Sequence, residues 1–421
     1  MFMFQRVTLL SAVLLSCCLH AATTSKAIKF GKLWDGHQVI AHPVVMVDGD
    51  QIKSVTANGS IPAGMETIDL SEYTGIPGMI DMHTHITYYW NGDTSVDARR
   101  QKPRREAITV VLSQRNGMKA LEAGVTTLRD LNAAGGADFD LRDLINMGAF
   151  VGPRLFVSGR GLHGLPKIPT MDEKIAEQIK ATKETIAAGA DWVKIFGSTG
   201  GFDNVTGDQT VSYEEMKAVV DEAHAEGHKV AIHSYGPAGA RDAIRAGCDT
   251  LEHATDMDDA TIAEMVRKKI WYVPTIDHNE YYVENAETTY KFPAGAKENL
   301  EDYIHRNFIT AQKAYKAGAR MLVGSDAVYN GFGLNMRELT WFMKMGMTNE
   351  QAMQTATVNA AEALGMEKTL GSVAPGYFAD IVAVEGDPMT DIQVVLKNVR
   401  WVMKGGAVVS DKTKGFPTHT N

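Results

Sequence analysis

Two patterns of apolar and polar positions divide the chain. Towards both ends, short runs that alternate apolar with polar residues are separated by turn dipeptides such as Asp48-Gly49 and Asn58-Gly59, which predicts antiparallel strands. Between Ile76 and Leu364, short apolar runs instead alternate with amphipathic stretches of helical period. The middle of the chain is therefore predicted to consist of strands that each lead to a helix.

The strand-and-helix segment predicts the fold class. Its eight predicted strands begin at Ile76, Val125, Arg154, Trp192, Lys229, Thr250, Trp271 and Arg320. Eight such units with right-handed crossovers close a (β/α)8 TIM barrel, so we expect an α/β protein. The barrel is assigned to residues 75–366, and one small β-sandwich domain is assigned to both termini, residues 23–74 and 367–421. Within these segments, Asn349–Leu364 is predicted as one helix and Val394–Val399 as a strand.

Residues 1–22 have the character of a signal peptide. Arg6 is followed by the apolar run Val7–Leu19, which is too short to span a bilayer, and then by the small residues Ala21 and Ala22. We therefore expect an exported protein, either periplasmic or secreted. A lipid anchor at Cys17 is the less favoured alternative, because the residues before it match a lipoprotein cleavage site only imperfectly.

The charge balance limits the kinds of partner. The 421 residues include 42 Lys and Arg against 51 Asp and Glu, a net charge of -9. This balance gives no sign of a surface for nucleic acid or for an anionic membrane, so a small-molecule substrate is the expected partner. We also expect the chain to form a homo-oligomer.

Several histidines fall at predicted strand ends. His83 and His85 end the first strand, where alternation points both imidazoles the same way from attachment points roughly 6.6 Å apart, a span that one metal ion bridges. His233 and His253 end the fifth and sixth strands, and Asp326 follows the eighth. Because the C-terminal strand ends of a barrel meet at one mouth, these side chains are expected to form a metal site.

Lys194 is the least expected residue of the set. It lies inside the fourth strand, Trp192–Phe196, where a buried ammonium beside metal ions would be unfavourable. Addition of carbon dioxide to the neutral amine would produce a carbamate anion whose two oxygen atoms can bridge two ions. We therefore predict a carbamate on Lys194 (N6-carboxylysine) and two divalent metal ions; the alternative is a lysine that extends to the barrel edge.

These motifs resemble the amidohydrolase superfamily over nearly the whole mature chain. The resemblance is carried by Asp81-Met82-His83-Thr84-His85, Lys194, His233, His253, Asp326 and the segment Gly371-Ser372-Val373-Ala374-Pro375-Gly376-Tyr377-Phe378-Ala379-Asp380-Ile381-Val382. Gly152-Pro153-Arg154 and His233-Ser234-Tyr235-Gly236 are similar to the branch that contains Xaa-Arg/Xaa-Lys dipeptidases, prolidase-like enzymes and ochratoxin-hydrolysing amidohydrolases.

The resemblance implies a role for each ligand. It places His83, His85 and Asp326 on a buried metal ion, and His233 and His253 on an outer one. Carbamylated Lys194 lies between the two ions. Zinc is the expected metal, although these ligand types also bind manganese and cobalt.

The expected function is hydrolysis of the amide bond of dipeptides or N-acyl amino acids, including ochratoxin-type aromatic ones. A hydroxide that bridges the two ions attacks the scissile carbonyl, and Asp326 carries its proton to the departing amine. His163 is expected to stabilise the oxyanion and contact the substrate, while Tyr235 binds the substrate's free carboxylate. The loop Gly159–Gly164 departs from the family pattern, which leaves the role of His163 open.

Three alternatives remain. A cyclic-amide hydrolase would use the same ligands, so only an assay separates it from a dipeptidase. An imidazolonepropionase-like ring opener typically uses one metal ion and lacks the lysine in the fourth strand, so Lys194 argues against it. A pseudoenzyme that serves as a binding module would be expected to have lost ligands, and all six are present.

Overall fold

The computed structural model describes residues 25–93, 95, 98–133, 135–200 and 207–413. The predicted signal peptide, with Cys17, lies outside the described residues, as do the last eight residues of the predicted composite domain, 414–421. No helix in the described part of the chain is both long and apolar enough to cross a membrane.

The strands and helices follow one another in the predicted rhythm. The strands are β1 (Lys26–Trp34), β2 (Val39–Ala41), β3 (Pro43–Asp48), β4 (Gln51–Ala57), β5 (Glu66–Pro77), β6 (Met79–Thr84), β7 (Val125–Asp130), β8 (Arg154–Val157), β9 (Trp192–Phe196), β10 (Lys229–Ser234), β11 (Thr250–His253), β12 (Trp271–Val273), β13 (Arg320–Met321), β14 (Ile381–Val384), β15 (Val399–Lys404) and β16 (Ala407–Asp411). The helices are α1 (Glu106–Glu122), α2 (Ala137–Asn146), α3 (Met171–Ala187), α4 (Tyr213–Ala225), α5 (Pro237–Ala246), α6 (Asp259–Arg267), α7 (Ile276–Glu284), α8 (Ala296–Lys316), α9 (Glu338–Met345), α10 (Asn349–Thr355), α11 (Val358–Leu364) and α12 (Gln393–Lys397).

Strands from both ends of the chain form one sheet. The order is β16-β15-β14-β5-β1-β3-β4, and β2 pairs with β1. The hairpin β3–β4 and the pair β14–β15 are antiparallel as predicted. The expectation of a wholly antiparallel N-terminal segment is wrong, however, because β5 runs parallel to β1, with Ile28 opposite Ile68. The chain crosses over between β4 and β5, and turn dipeptides carry no information about such a crossover.

The eight central strands form two parallel sheets. β9 to β13 make a five-stranded sheet and β6 to β8 a three-stranded one. Hydrogen bonds link the sheets on both sides: Leu162 N donates to Lys194 O at 2.8 Å, and Met82 N donates to Val323 O at 3.0 Å. The apolar faces of the flanking helices pack on these strands in the main core, where Val193 and Ile232 meet helical residues such as Val219. The C-terminal ends of all eight strands therefore lie on one side of the molecule.

Two local predictions differ from the structure, and two helices, α1 and α7, had no predicted bounds. The predicted helix Asn349–Leu364 breaks into α10 and α11, because the carbonyls of Thr355 and Ala356 accept hydrogen bonds from Val323 N and Ile80 N instead of from the next helical turn. The predicted strand Val394–Val399 is mostly helix α12, whose first turn is stabilised by the Asp391 side chain accepting from Gln393 N at 2.9 Å. Here local hydrogen bonding overrides the β-branched composition.

We expect Gly324 to be required for the close approach of strands one and eight of the predicted barrel. A Cβ at position 324 would overlap the Val273 side chain and lie 2.8 Å from His83 Cβ. Gly324→Ala should therefore lower the free energy of unfolding by about 1–3 kcal/mol, the usual effect of overpacking. Denaturant titration measures this change.

Gly331→Ala is the matched control, because a Cβ there meets only Ala327 Cβ at an ordinary 3.8 Å. It should change the free energy of unfolding by less than about 0.5 kcal/mol. Equal effects of the two substitutions would show that the space around Gly324 is not limiting.

Candidate metal centre

The six predicted ligands converge at the C-terminal ends of the parallel strands. All are buried, with His83 on β6, Lys194 on β9, His233 on β10 and His253 on β11. His85 directly follows β6, and Asp326 follows the short β13 by five residues.

Asp326 lies at the centre of the group. Its Oδ1 is 3.0 Å from His85 Nε2 and 3.6 Å from His83 Nε2, and its Oδ2 is 4.0 Å from His253 Nδ1. One ligand atom each from His83, His253 and Asp326 lie within 4.8 Å of one another. The ring of His233 joins the group through that of His253, with centroids 4.4 Å apart.

Two buried nitrogen atoms in this group have no hydrogen-bond partner among the described residues: His83 Nε2 and Lys194 Nζ. A buried polar atom without a partner is unfavourable, and native proteins pair most such atoms. Divalent metal ions would satisfy the imidazole nitrogen directly and the lysine after carbamylation. The donor set of four histidines, one carboxylate and one lysine therefore fits metal ions.

The backbone is strained at the centre. His253, Ala254 and Asp326 have φ values of 70°, 42° and 50°, in the left-handed region that residues with a Cβ rarely adopt. The turn after β11 lets two adjacent residues, Glu252 and His253, both face the interior of the site. Strain of this kind persists only where surrounding contacts hold it, and it is typical of functional sites.

Asp81 supplies one of those contacts. Its buried carboxylate accepts hydrogen bonds from Ser325 N at 2.9 Å, Ser325 Oγ at 2.5 Å and Asn335 Nδ2 at 2.8 Å. It also accepts from His83 N at 3.1 Å. This carboxylate therefore ties β6 to the segment that carries Asp326. Asp81 belongs to the motif noted in the sequence, but its role depends on a partner 244 residues away.

Burial favours the neutral forms of His83, His233 and His253. Burial and the neighbouring Lys194 charge lower the pKa of His83 to about 4. Burial is also the main reason why the pKa values of His233 and His253 lie well below the ordinary histidine value. Burial by itself would raise the pKa of Asp326, but its contacts with the imidazoles of His278, His83 and His85 hold it well below its usual value. The site therefore presents neutral imidazoles and an ionised carboxylate, the forms that bind a metal ion.

Burial also favours the neutral form of Lys194. Burial lowers the pKa of its amine to about 8, and the opposing charges of Glu252 and Asp326 offset only part of this effect. Near neutral pH, a larger fraction of this amine is uncharged than for a lysine in water. The uncharged amine is the form that reacts with carbon dioxide.

The sequence analysis missed two residues of the site. His278, on the unpredicted helix α7, places its Nε2 3.4 Å from Asp326 Oδ2 and its ring edge-on to Tyr282. Glu252 contacts His83, with Oε2 2.8 Å from Nδ1. A charged residue in the otherwise apolar run Thr250-Leu251-Glu252-His253 was the available signal for Glu252.

A cavity of about 1050 Å³ opens beside the ligands. His163 lines it, with its ring stacked on Phe196 at 4.5 Å. Phe196 in turn lies 5.4 Å from the ring of His233, so His163 is one aromatic ring removed from the ligands. Burial, and then the charges of Arg160 and Lys194, lower the pKa of His163.

Tyr235 is more deeply buried than a loop residue at the mouth of the cavity would be. Its buried ring stacks on His253 at 4.9 Å and meets Tyr303 edge-on at 5.1 Å. It is not one of the described residues that line the cavity. Tyr235 therefore contacts the ligand group directly, whereas His163 faces the cavity.

Comparison with known proteins places these features in a family. Residues 74–409 match the amidohydrolase family. The ochratoxinase of Aspergillus niger is 30% identical over 375 residues, which cover 79% of this chain and 74% of that protein. A solved Xaa-Pro dipeptidase with methionine bound in its active site has a TM-score of 0.82 and 30% identity, covering 91% of this chain and 99% of that one. A prolidase solved with N-methylphosphonate-L-proline has a TM-score of 0.80 and 26% identity, covering 92% of this chain and all of that one.

The family match spans most of the chain, and the structural relatives extend over nearly its full described length. The matched residues 74–409 include all six predicted ligands. This protein belongs to the amidohydrolase family.

Proposed function

We propose that the protein is a binuclear metal-dependent amidohydrolase that releases an amino acid from dipeptides or N-acyl amino acids. The observation that carries the proposal is the pair of buried, partnerless nitrogen atoms, His83 Nε2 and Lys194 Nζ, in a group of histidines and one carboxylate. The relatives named ochratoxinase, prolidase and Xaa-Pro dipeptidase support the choice of an amide bond next to a free carboxylate.

In this proposal His83, His85 and Asp326 would hold one ion, His233 and His253 would hold a second, and carbamylated Lys194 would supply a further anionic ligand. Zinc is the proposed metal. Bound ions would lower the pKa of a water molecule and polarise the scissile carbonyl.

The side chains have separate tasks. Asp326 is ionised and close to four histidines, so it can accept a proton from the attacking water and pass it to the departing amine. His163 faces the cavity, where it contacts the substrate on the side of the scissile carbonyl. Tyr235 stacks on His253 and lies 4.7 Å, ring to ring, from the cavity residue His233; its hydroxyl donates to the substrate carboxylate.

Fold and location complete the proposal. The two parallel sheets, linked by hydrogen bonds on both sides, form one (β/α)8 barrel over residues 75–366. The sheet shared by both termini forms a small β-sandwich domain. We also propose export through the leader at residues 1–22 and assembly as a homo-oligomer.

The decisive experiment is a screen of dipeptides and N-acyl amino acids with the metal-loaded protein, scored by release of free amino acid. A cyclic-amide hydrolase would instead open lactam or hydantoin rings, which belong in the same screen. Metal content near two ions per chain would argue against a non-catalytic binding module. Two bound ions without turnover of any substrate would contradict the proposed function.

We expect Asp326→Asn to separate metal binding from turnover. The amide keeps the shape and an oxygen ligand but cannot accept the proton, so kcat should fall by about 10² to 10⁴. Metal content, measured by elemental analysis, should stay near that of the unaltered protein. Retained turnover would remove Asp326 from the proton transfer.

We expect reloading of the metal-free protein with zinc to depend on pH through Lys194. With an amine pKa of about 8, the uncharged fraction is roughly 20-fold larger at pH 8.5 than at pH 6.5. At constant dissolved carbon dioxide, the two-ion form should therefore appear faster at the higher pH, as followed by bound zinc. His83, His233 and His253 are already neutral across this range and do not produce the difference.

Exclusion of carbon dioxide is the control for this experiment. It should remove the acceleration at pH 8.5, and Lys194→Gln should abolish it at any carbon dioxide level. Equal reloading rates at the two pH values would contradict carbamate formation as the limiting step.

We expect Arg160 to bind an anionic group of the substrate. Among the described residues that line the cavity it alone carries a permanent charge, and its side chain has no ion pair there. Arg160→Gln should raise KM for substrates with a free carboxylate about tenfold or more, with little change in kcat. The exposed Arg241→Gln is the control. An equal rise in KM for a carboxamide analogue would show that Arg160 does not interact with the charge of the substrate carboxylate.

A further inference from the structure

A buried polar column stands beneath the candidate metal centre. Arg129 Nη2 donates to Glu252 Oε1 at 2.8 Å, Arg129 Nε donates to Met82 O at 2.6 Å, and both side chains are fully buried. Thr250 shares in the column: Arg129 Nη1 donates to its hydroxyl at 3.0 Å, and that hydroxyl donates to Glu252 Oε1. Below, the Arg129 guanidinium lies 4.4 Å from the centre of the Trp192 ring.

The column ends at a metal ligand. The second oxygen of Glu252, Oε2, is 2.8 Å from His83 Nδ1, and His83 Nε2 faces the other ligands without a partner. A carboxylate can only accept a hydrogen bond, so the proton of a neutral His83 lies on Nδ1. The lone pair is then on Nε2, the atom that lies 3.6 Å from Asp326.

Two other histidines of the group, His85 and His253, have no carboxylate on Nδ1 in the described structure. His85 Nδ1 is 3.4 Å from the carbonyl of Asn132, a longer contact to an uncharged acceptor, and His253 Nδ1 contacts the hydroxyl of Thr275 at 2.6 Å. A hydroxyl can donate or accept, so Thr275 does not by itself select a tautomer of His253. Among these three, His83 alone is held by a carboxylate that is not itself a predicted ligand.

Stability alone does not explain why Arg129 and Glu252 form a buried ion pair. Removing two charges from water costs several kcal/mol each, and apolar side chains of the same volume usually serve a core as well or better. An apolar pair at positions 129 and 252 would, however, leave His83 free to rotate and to exchange tautomers. The benefit of the pair therefore lies in what it does to His83.

We propose that Arg129 and Glu252 are positioning residues that prepare the buried metal site by fixing the tautomer and orientation of His83. Arg129 fixes the carboxylate of Glu252, and Glu252 fixes the imidazole. The buried ion, held by His83, His85 and Asp326, depends on this column; the outer ion, held by His233 and His253, does not. This inference rests on the proposed metal centre, but not on the identity of the substrate.

The test uses three variants of the full chain. Glu252→Gln keeps the shape and removes the charge. The double variant Arg129→Met with Glu252→Gln removes both charges, so that no unpaired ion remains buried. Asp380→Asn is the matched control, because Asp380 is a buried carboxylate 3.8 Å from Arg154 that directly precedes β14 of the terminal sheet and is not one of the predicted ligands.

Metal binding is read by chelator competition and by the visible spectrum of the cobalt-loaded protein. In both Glu252 variants we expect the affinity for one of the two ions to fall by about 10- to 100-fold. Losses of this size are typical when a residue that orients a metal-bound histidine is replaced. The double variant should unfold closer to the wild-type denaturant midpoint than Glu252→Gln, without regaining metal affinity. Asp380→Asn should lose stability and keep wild-type metal affinity.

The tautomer of His83 gives a readout independent of metal. In the metal-free wild type, nitrogen NMR should show the His83 proton on Nδ1; in the double variant both tautomers should be present. Wild-type affinity together with an unchanged tautomer in the double variant would overturn the proposal, as would equal loss of affinity in Asp380→Asn. A wild-type protein that binds no metal would instead overturn the proposed metal centre itself.

Discussion

The constraint that shapes the site is the burial of two polar nitrogen atoms that have no hydrogen-bond partner in the part of the chain that the structure describes. His83 Nε2 and Lys194 Nζ lie inside the molecule, where an unsatisfied donor or acceptor is unfavourable by about 1–3 kcal/mol. A core optimised for stability alone would hold apolar side chains at these positions. Their presence together with an ionised Asp326 is understandable if the site is completed by groups from outside the chain.

The surrounding fold holds this arrangement in place. Parallel strands bring residues more than 240 positions apart to one side of two linked sheets. Asp81 ties the first of these strands to the loop of Asp326, and the left-handed backbone of His253 and Asp326 turns their side chains inwards. Such conformations survive because each is fixed by several contacts at once.

The electrostatics follow from the same geometry. Burial drives His83, His233, His253 and Lys194 towards their neutral forms, while Glu252 stays ionised beside Arg129 and Asp326 stays ionised among the imidazoles around it. For Glu252, burial alone would raise its pKa, but the charge of Arg129 and the contact with His83 outweigh that effect and hold it at about 2. The site therefore combines neutral nitrogen ligands with permanent negative charge, and the cavity beside it carries a cation, Arg160. Within an amidohydrolase, this distribution suits a substrate that has both a polarisable carbonyl and an anionic group.

The sequence by itself predicted the strand and helix rhythm, the six polar residues that converge in the structure, and the family. It could do so because apolar periodicity reports which face of an element is buried, and because strand ends in this rhythm must share one side of the molecule. The strand Trp192–Phe196 was predicted to the residue for this reason. Only the tertiary structure decided what lies across from each ligand. Glu252 opposite His83, His278 beside Asp326 and the parallel pairing of β1 with β5 all depend on contacts between distant segments, and no local pattern of residues encodes such a contact.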